Sequence, residues 1–509
     1  MTDRDLVIGI DASTTAAKAV VWDAQGRAIA EARATYETSH PHPGWGEQNA
    51  EDWWVVTRRA LARVVQSVDS ARIAAIAVTH QRETFVCLDE FGQPLRPAML
   101  WMDGRAVREV EEHGTERVHG ITGKPPNLTP AWYKLLWLRT HEPSTLHRAS
   151  HIVDVQGFLN HRLTGAWVTS WGSADPLGVI DMTTFDYSDA LLDEAGLSRD
   201  QFCRLVAPGD IVAPIADDVA DELNIPRGTP IVAGLGDGQS AQLGTGAILP
   251  GRGYLNMGSG VVAGTYSRTY AHSHAFRVLS AAVPGGYTFE TFIGGGTFNL
   301  QWFVNKFAGV DPRALGLELS PEQVLETAAA LLPPGADGLM VLPYWTGALT
   351  PYWDPHARGA MIGLTGAHGK SHVYRALLES IAYEQRFLTE GAEAASGTPV
   401  RELIALGGGS RSRVWSQIMA DVLQRDVAIV REPESTCLGV GMLAAVAAGL
   451  HPDIETAACE MSGIGAHFTP DPDRVPIYEE LYGVYRGIYP ALRGIFPGLA
   501  RIGEQATTR

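Results

Sequence analysis

Leu6-Val7-Ile8-Gly9-Ile10-Asp11-Ala12-Ser13-Thr14-Thr15-Ala16-Ala17-Lys18-Ala19-Val20-Val21-Trp22 is the stretch on which the reading of this chain turns. Leu6 to Ile10 is a short apolar run, the pattern of a fully buried strand. The hydroxyl-rich turn Ser13-Thr14-Thr15 separates it from a second run, Ala19 to Trp22. Asp23-Ala24-Gln25-Gly26 then makes a tight turn into a third run that begins near Ile29. Three apolar runs joined by short polar turns predict a meander of antiparallel strands.

Working outward, Ile73–Val78 and Phe85–Leu88 read as further strands, the second followed by the turn Asp89-Glu90-Phe91-Gly92. The second half opens as the first does: Gly253–Met257 is a strand, Gly258-Ser259-Gly260 a turn, and Val261–Tyr266 a strand again. Two halves with the same opening predict a duplicated domain, although any two hairpins look alike at this level. The junction falls at Ala247-Ile248-Leu249-Pro250-Gly251, giving domains of residues 1–247 and 252–509, with about the last fifty residues expected to pack back on the first. Asp52–Val68, His372–Phe387 and Val414–Leu423 carry apolar residues at helical spacing, and Cys437–Leu450 reads as a buried helix. The fold class is therefore α/β.

At 509 residues the chain exceeds one ordinary core, which agrees with two domains. Its net charge of −17, with no compensating Lys/Arg cluster, argues against nucleic acid and anionic lipid as partners. No apolar run reaches the roughly 20 residues that span a bilayer, and the charged start before Asp11 is not a signal peptide. Cys87, Cys203, Cys437 and Cys459 are far apart in sequence and fit reduced, mostly buried thiols. A cytoplasmic protein is expected.

Three segments carry chemistry. In Asp11-Ala12-Ser13-Thr14-Thr15-Ala16-Ala17-Lys18, a strand-end carboxylate can attract a magnesium ion, the turn can donate to phosphoryl oxygens, and Lys18 can neutralise charge; an ordinary hairpin turn fits the same residues. In Gly234-Leu235-Gly236-Asp237-Gly238-Gln239, a carboxylate among glycines could take a proton from a bound hydroxyl, or could cap the next helix. In Gly407-Gly408-Gly409-Ser410-Arg411-Ser412, three glycines before a helix could admit a flat ring or a phosphate, though such turns are common. Gly369-Lys370-Ser371 is not a P-loop, since Leu364 stands where the first glycine belongs. His368 and His372 lack a third ligand.

In combination the motifs resemble the FGGY carbohydrate kinases, the group of glycerol kinase and xylulokinase, from Ile8 to about Leu450. The resemblance rests on Pro43-Gly44-Trp45-Gly46-Glu47-Gln48, Gln81-Arg82-Glu83-Thr84, Leu100-Trp101-Met102-Asp103 and Lys134–Leu138 in the first half. In the second it rests on Trp353-Asp354-Pro355, Gly363-Leu364-Thr365, Tyr374–Ala382, the 407–412 turn and Glu434–Gly439. It implies an actin-like architecture of two ribonuclease-H-like domains with a central cleft, and ATP- and Mg2+-dependent phosphorylation of a sugar or polyol hydroxyl.

Carried over by position, Asp11 and Asp237 would bear on the metal and Asp237 would be the base. Thr14, Thr15, Lys18, Gly258, Ser259, Gly260, Gly408, Gly409 and Ser412 would line the nucleotide. Arg82, Glu83, Trp101, Thr129, Asp237 and Gln239 would contact the sugar. The sequence departs from the family's usual pattern at Ser13, at Tyr344–Pro351 and around Thr129–Lys134. Arg82-Glu83 resembles glycerol kinases, whereas Leu128-Thr129-Pro130 resembles the pentulose enzymes. The expectation is a pentulose such as xylulose, with glycerol or a tetritol as the alternative and a non-catalytic ATP- and sugar-binding protein as the third reading. A homodimer is left open.

Overall fold

A computed structural model describes residues 4–309 and 318–507. The first segment forms the expected meander: β1 (Leu6–Ala12), β2 (Ala16–Asp23) and β3 (Ala28–Thr35) pair antiparallel in turn. β4 (Ile73–His80) lies parallel to β1 on its other side, followed by β6 (Pro230–Val232), parallel to β4, and the antiparallel edge strand β5 (Ile211–Pro214). The order is β5-β6-β4-β1-β2-β3. Leu6, Val7, Ile8 and Ile10 are all buried, as a central strand covered on both faces requires.

The second sheet contains β7 (Arg252–Met257), β8 (Val261–Ser267), β9 (Arg277–Ser280), β10 (Tyr287–Ile293), β11 (Glu402–Leu406), β12 (Asp426–Val430) and β13 (Ile464–Phe468), in the order β9-β10-β8-β7-β11-β12-β13. From β10 to β13 it repeats the first sheet in spatial order and strand direction, except that the edge strand precedes its neighbour in the chain in the first sheet and follows it in the second. Three antiparallel strands come first, two parallel ones follow on the other side of the first strand, and an antiparallel edge closes the order. The duplication is thus one of topology, and the architecture is the actin-like, two-sheet α/β fold.

Each sheet is covered by amphipathic helices. α1 (Ala50–Val65) starts at Asn49, whose side chain accepts from Glu51 N–H, and it buries Trp53, Val56, Ala60, Leu61 and Val64 against the first sheet. α2 (Glu116–Thr122), α3 (Ala131–His141) and α4 (Asp237–Gly244) follow. α5 (Lys370–Ser396) is longer than its sequence pattern suggested. α6 (Arg413–Leu423) packs with it under the second sheet.

The crossing between the halves differs from expectation. α7 (Ser435–Ala447), in the second half, packs against β1, β2, β4 and α4, so Val440 and Leu443 share one core with Val7, Val20, Trp22 and Val232. From Ile464 on, β13 pairs with β12, and α8 (Val475–Leu492) buries Tyr478, Tyr482 and Tyr485 in the second half's own core. Among the described residues, Ile464–Phe468 and Val475–Leu492 thus pack within the second half, and the apolar, glycine-bearing α7 is the element that reaches the first. Among the described residues no helix is long and apolar enough to cross a membrane.

Candidate active site

The carboxyl ends of the parallel strands converge, which is where ligands collect in sheets of this kind. Asp11 lies next to the end of β1, Arg82 and Glu83 follow β4, and Asp237 opens α4 just past β6. In the second half, Gly258-Ser259-Gly260 follows β7 and Gly407-Gly408-Gly409 follows β11, its parallel neighbour. A small sheet of Glu47–Gln48, Ala98–Met99, Phe85–Leu88 and His151–Asp154 carries the chain from Glu83 to Trp101.

These ends enclose a cavity of about 390 Å3. Arg82, Glu83, Trp101, Thr129 and Asp237 line it from the first half, and Gly258, Ser259, Gly260 and Arg277 from the second. Eight residues expected from the sequence therefore share one cavity. Lys134, fully buried on α3, donates from Nζ to Thr129 O (2.7 Å) and Trp101 O (3.3 Å), fixing two of the walls. Trp101 Nε1 donates to Thr14 Oγ1 at 3.0 Å, which joins the meander's turn to the same site.

The charges on the wall form a closed network that spans the two halves. Arg82 Nη1 donates to both oxygens of Glu290, at 3.0 and 2.9 Å. Arg277 donates from Nε to Glu290 Oε1 (2.7 Å) and from Nη1 to Glu83 Oε1 (2.6 Å), and Tyr254 O–H donates to Glu290 Oε2 at 2.5 Å. Arg82 Nε also lies 2.6 Å from Asp237 Oδ1, with its N–H not aligned along the contact. Burial opposes ionisation of Glu290, but Arg277 and Arg82, with hydrogen bonds from Tyr254 and Arg82, hold its carboxyl down to about 2. Glu83 is held at φ 55°, a left-handed conformation that a non-glycine residue adopts only when its surroundings impose it.

Asp11 sits differently. Its Oδ1 is buried and has no hydrogen-bond partner. Burial, and then the charges of Asp237 and Glu434, push its carboxyl up to about 7, with Lys18 and Arg33 opposing. A buried carboxylate oxygen without a donor, facing further carboxylates, fits a divalent cation with oxygen ligands.

The remaining expected residues are placed otherwise. Lys18 pairs with Glu434 at 2.6 Å and does not line the cavity. Thr15 is exposed in the turn. Gln239 is fully buried and is not among the residues lining the cavity; its amide donates to Gly172 O (2.8 Å) and Asp175 Oδ2 (3.3 Å). Asp175 is itself saturated by Lys124 Nζ (3.0 Å) and by the N–H and hydroxyl of Ser280 (2.8 and 2.7 Å). Gly408 is open, whereas Gly409 lies so close to Trp415 and Met257 that a Cβ would meet them at 2.5 and 2.8 Å. Ser412 caps α6, accepting from Trp415 N–H at 3.0 Å, and donates to Glu326 Oε1 at 2.7 Å.

Sequence reasoning missed Glu290, Arg277, Tyr254 and Lys134. Glu290 had a signal: a lone carboxylate in the otherwise uncharged strand Tyr287–Ile293 calls for a buried cation.

Fold and site together define a two-domain, actin-like sugar kinase. Residues 6–244 match the N-terminal domain and residues 253–448 the C-terminal domain of the FGGY family of carbohydrate kinases. The chain belongs to that family. It is 28% identical over 485 residues to the gluconokinase of Bacillus subtilis (strain 168), covering 93% of this chain and 94% of that protein. It is 30% identical over 428 residues to the xylulose kinase of Escherichia coli (strain K12), covering 82% and 84%. The crystal structure of xylulose kinase from Rhodospirillum rubrum superposes with a TM-score of 0.89 at 29% identity, covering 96% of this chain and 99% of that one. The protein is thus a carbohydrate kinase, and ATP binding follows from membership.

Proposed function

We propose that the protein transfers the terminal phosphoryl group of ATP to a hydroxyl of a neutral sugar of about five carbons, a pentulose such as xylulose, with Asp237 taking the hydroxyl proton. The observation that carries this reading is the pairing of the wall charges. The two cations that line the cavity, Arg82 and Arg277, are each bound to carboxylates, Arg82 to Glu290 and Asp237 and Arg277 to Glu290 and Glu83. An aldonate such as gluconate would bring a further negative charge to a wall with no free counter-charge. A neutral ketose needs only hydrogen bonds. Arg82 and Glu83, expected from the sequence to contact the sugar, present only the hydrogen-bonding capacity left over from their pairing.

Within this reading each group has a task. Asp237 has a half-exposed carboxylate on the cavity wall, with Oδ1 accepting from Gly238 N–H at 2.7 Å; it accepts the proton as the hydroxyl oxygen attacks. The turn 258–260 faces the terminal phosphates, where a Cβ at Gly260 would lie 2.6 Å from the Phe292 ring. Asp11 would hold Mg2+, which neutralises charge on the phosphoryl oxygens when bound. Trp101 and Thr129, fixed by Lys134, set one side of the sugar pocket.

The test is ATP-dependent ADP release with xylulose, ribulose, gluconate, glycerol and erythritol. A ketopentose should exceed gluconate in kcat/KM by at least about tenfold, the worth of roughly 1.4 kcal/mol. Gluconate as the best substrate would overturn the neutral-sugar reading.

A further inference from the structure

At another contact between the halves, α2 brings Glu116 and His119 against His272 and His274, which lie on the connection from β8 to β9. Among the described residues, Glu116, His119 and His274 are the one group of three whose potential ligand atoms all lie within 4.8 Å of one another. His274 Nε2 lies 3.1 Å from Glu116 Oε1, and His119 Nδ1 lies 3.8 Å from Glu116 Oε2. The ring centres of His272 and His274 are 5.0 and 4.9 Å from that of His119.

The backbone around the cluster is pinned. Tyr270 O–H donates to Gly120 O (2.7 Å), tying the connection to α2, and Trp353 Nε1 donates to His274 O (2.8 Å). His119 is 1% exposed, yet neither ring nitrogen has a hydrogen-bond partner. Buried polar side chains are nearly always paired, so two orphan nitrogens among further ligand atoms ask for an explanation. Burial, with His274 and His272 nearby, pushes the His119 pKa down to about 4, leaving the ring neutral with a free lone pair.

We propose that Glu116, His119 and His274 bind one divalent transition-metal ion of the zinc class, joining the two halves at this contact. Two imidazoles and a carboxylate, with a fourth position open to water, are a known zinc donor set, and the nitrogen ligands select against Mg2+ and Ca2+. Tetrahedral ligation at about 2.0–2.2 Å places donor atoms about 3.3 Å apart, closer than the present spread. His119 is the fixed anchor. The side chains of Glu116 and His274, 76% and 53% exposed, are free to make the adjustment.

The experiment uses full-length protein without a polyhistidine tag, stripped with a chelator and titrated with Zn2+ against a chromophoric competitor. One equivalent should bind per chain, unaffected by millimolar Mg2+. Glu116→Gln and His274→Asn, both at exposed positions, should each weaken binding at least tenfold and abolish the rise in thermal midpoint that Zn2+ gives the wild type. His119→Asn should do the same where it folds. Absence of stoichiometric binding, or binding equally tight in Glu116→Gln and His274→Asn, would overturn the site.

Discussion

Glu290 is the residue whose loss should be felt most widely, because one buried carboxylate holds Arg82, Arg277 and Tyr254. In Glu290→Gln the shape survives, but two guanidiniums lose their shared counter-charge. Its depression from 4.5 to about 2 corresponds to roughly 3 kcal/mol at 1.36 kcal/mol per unit, near the low end of the ~3–5 kcal/mol measured when one partner of a buried pair is removed. Urea unfolding at pH 7, followed by tryptophan fluorescence, should show a loss of that order. The sign with pH is fixed. A carboxyl depressed in the folded state stabilises fully above its unfolded value, and that contribution fades as pH falls from about 4.5 toward 2. The gap between wild type and Glu290→Gln should therefore narrow from pH 5 to pH 3. Kinetically, Arg82 and Arg277 lose their tether, so KM for the sugar should rise about tenfold with KM for ATP little changed. A variant within about 1 kcal/mol of wild type at pH 7, with unaltered sugar KM, would refute the claim that this network organises the site.

Asp237→Asn should lower turnover by roughly 10²–10⁴-fold, the usual worth of a positioned base, while sugar still binds in calorimetry. Asp11 carries a raised carboxyl pKa, so in metal-free protein its stabilising contribution is present below about 4 and lost as pH rises through about 7. Thermal scans without metal should accordingly show wild type losing stability relative to Asp11→Asn between pH 5 and 8. Adding Mg2+ at pH 8 should stabilise wild type and leave Asp11→Asn unmoved. Ser412→Ala removes a helix cap and the bond to Glu326; it should cost about 1 kcal/mol and raise KM for ATP rather than for sugar.

The first sheet was legible because its central strands are short apolar runs between polar turns, and that pattern is local. Asp11 and Asp237 stood out as candidates for a related reason: a carboxylate at the end of such a run, beside small residues, contrasts with its neighbours. Arg82 and Glu83, candidates from the sequence, do line the cavity, but their engagement was not legible. Their partners Glu290 and Arg277 are about two hundred residues away, and no local pattern announces a pairing at that separation. Gln239 lies off the cavity wall because two positions along a helix turn a side chain to another face, here into the bonds with Gly172 and Asp175. The packing of α7 on the first sheet was hidden likewise: its composition showed that it is buried, but not against which half.

That helix settles where the protein can be divided. Gly9, Gly244 and Gly439 let its backbone lie directly on β1 and α4; a Cβ at these positions would stand 2.1, 1.8 and 2.0 Å from the carbonyl oxygens of Cys437, Ser435 and Ser240. A fragment ended at the linker near residue 250 would present Val7, Val20, Trp22, Ala75 and Val232 to water, because their cover is encoded two hundred residues later. The core of the first sheet is thus completed by residues between Cys437 and Met461 rather than by the first half alone.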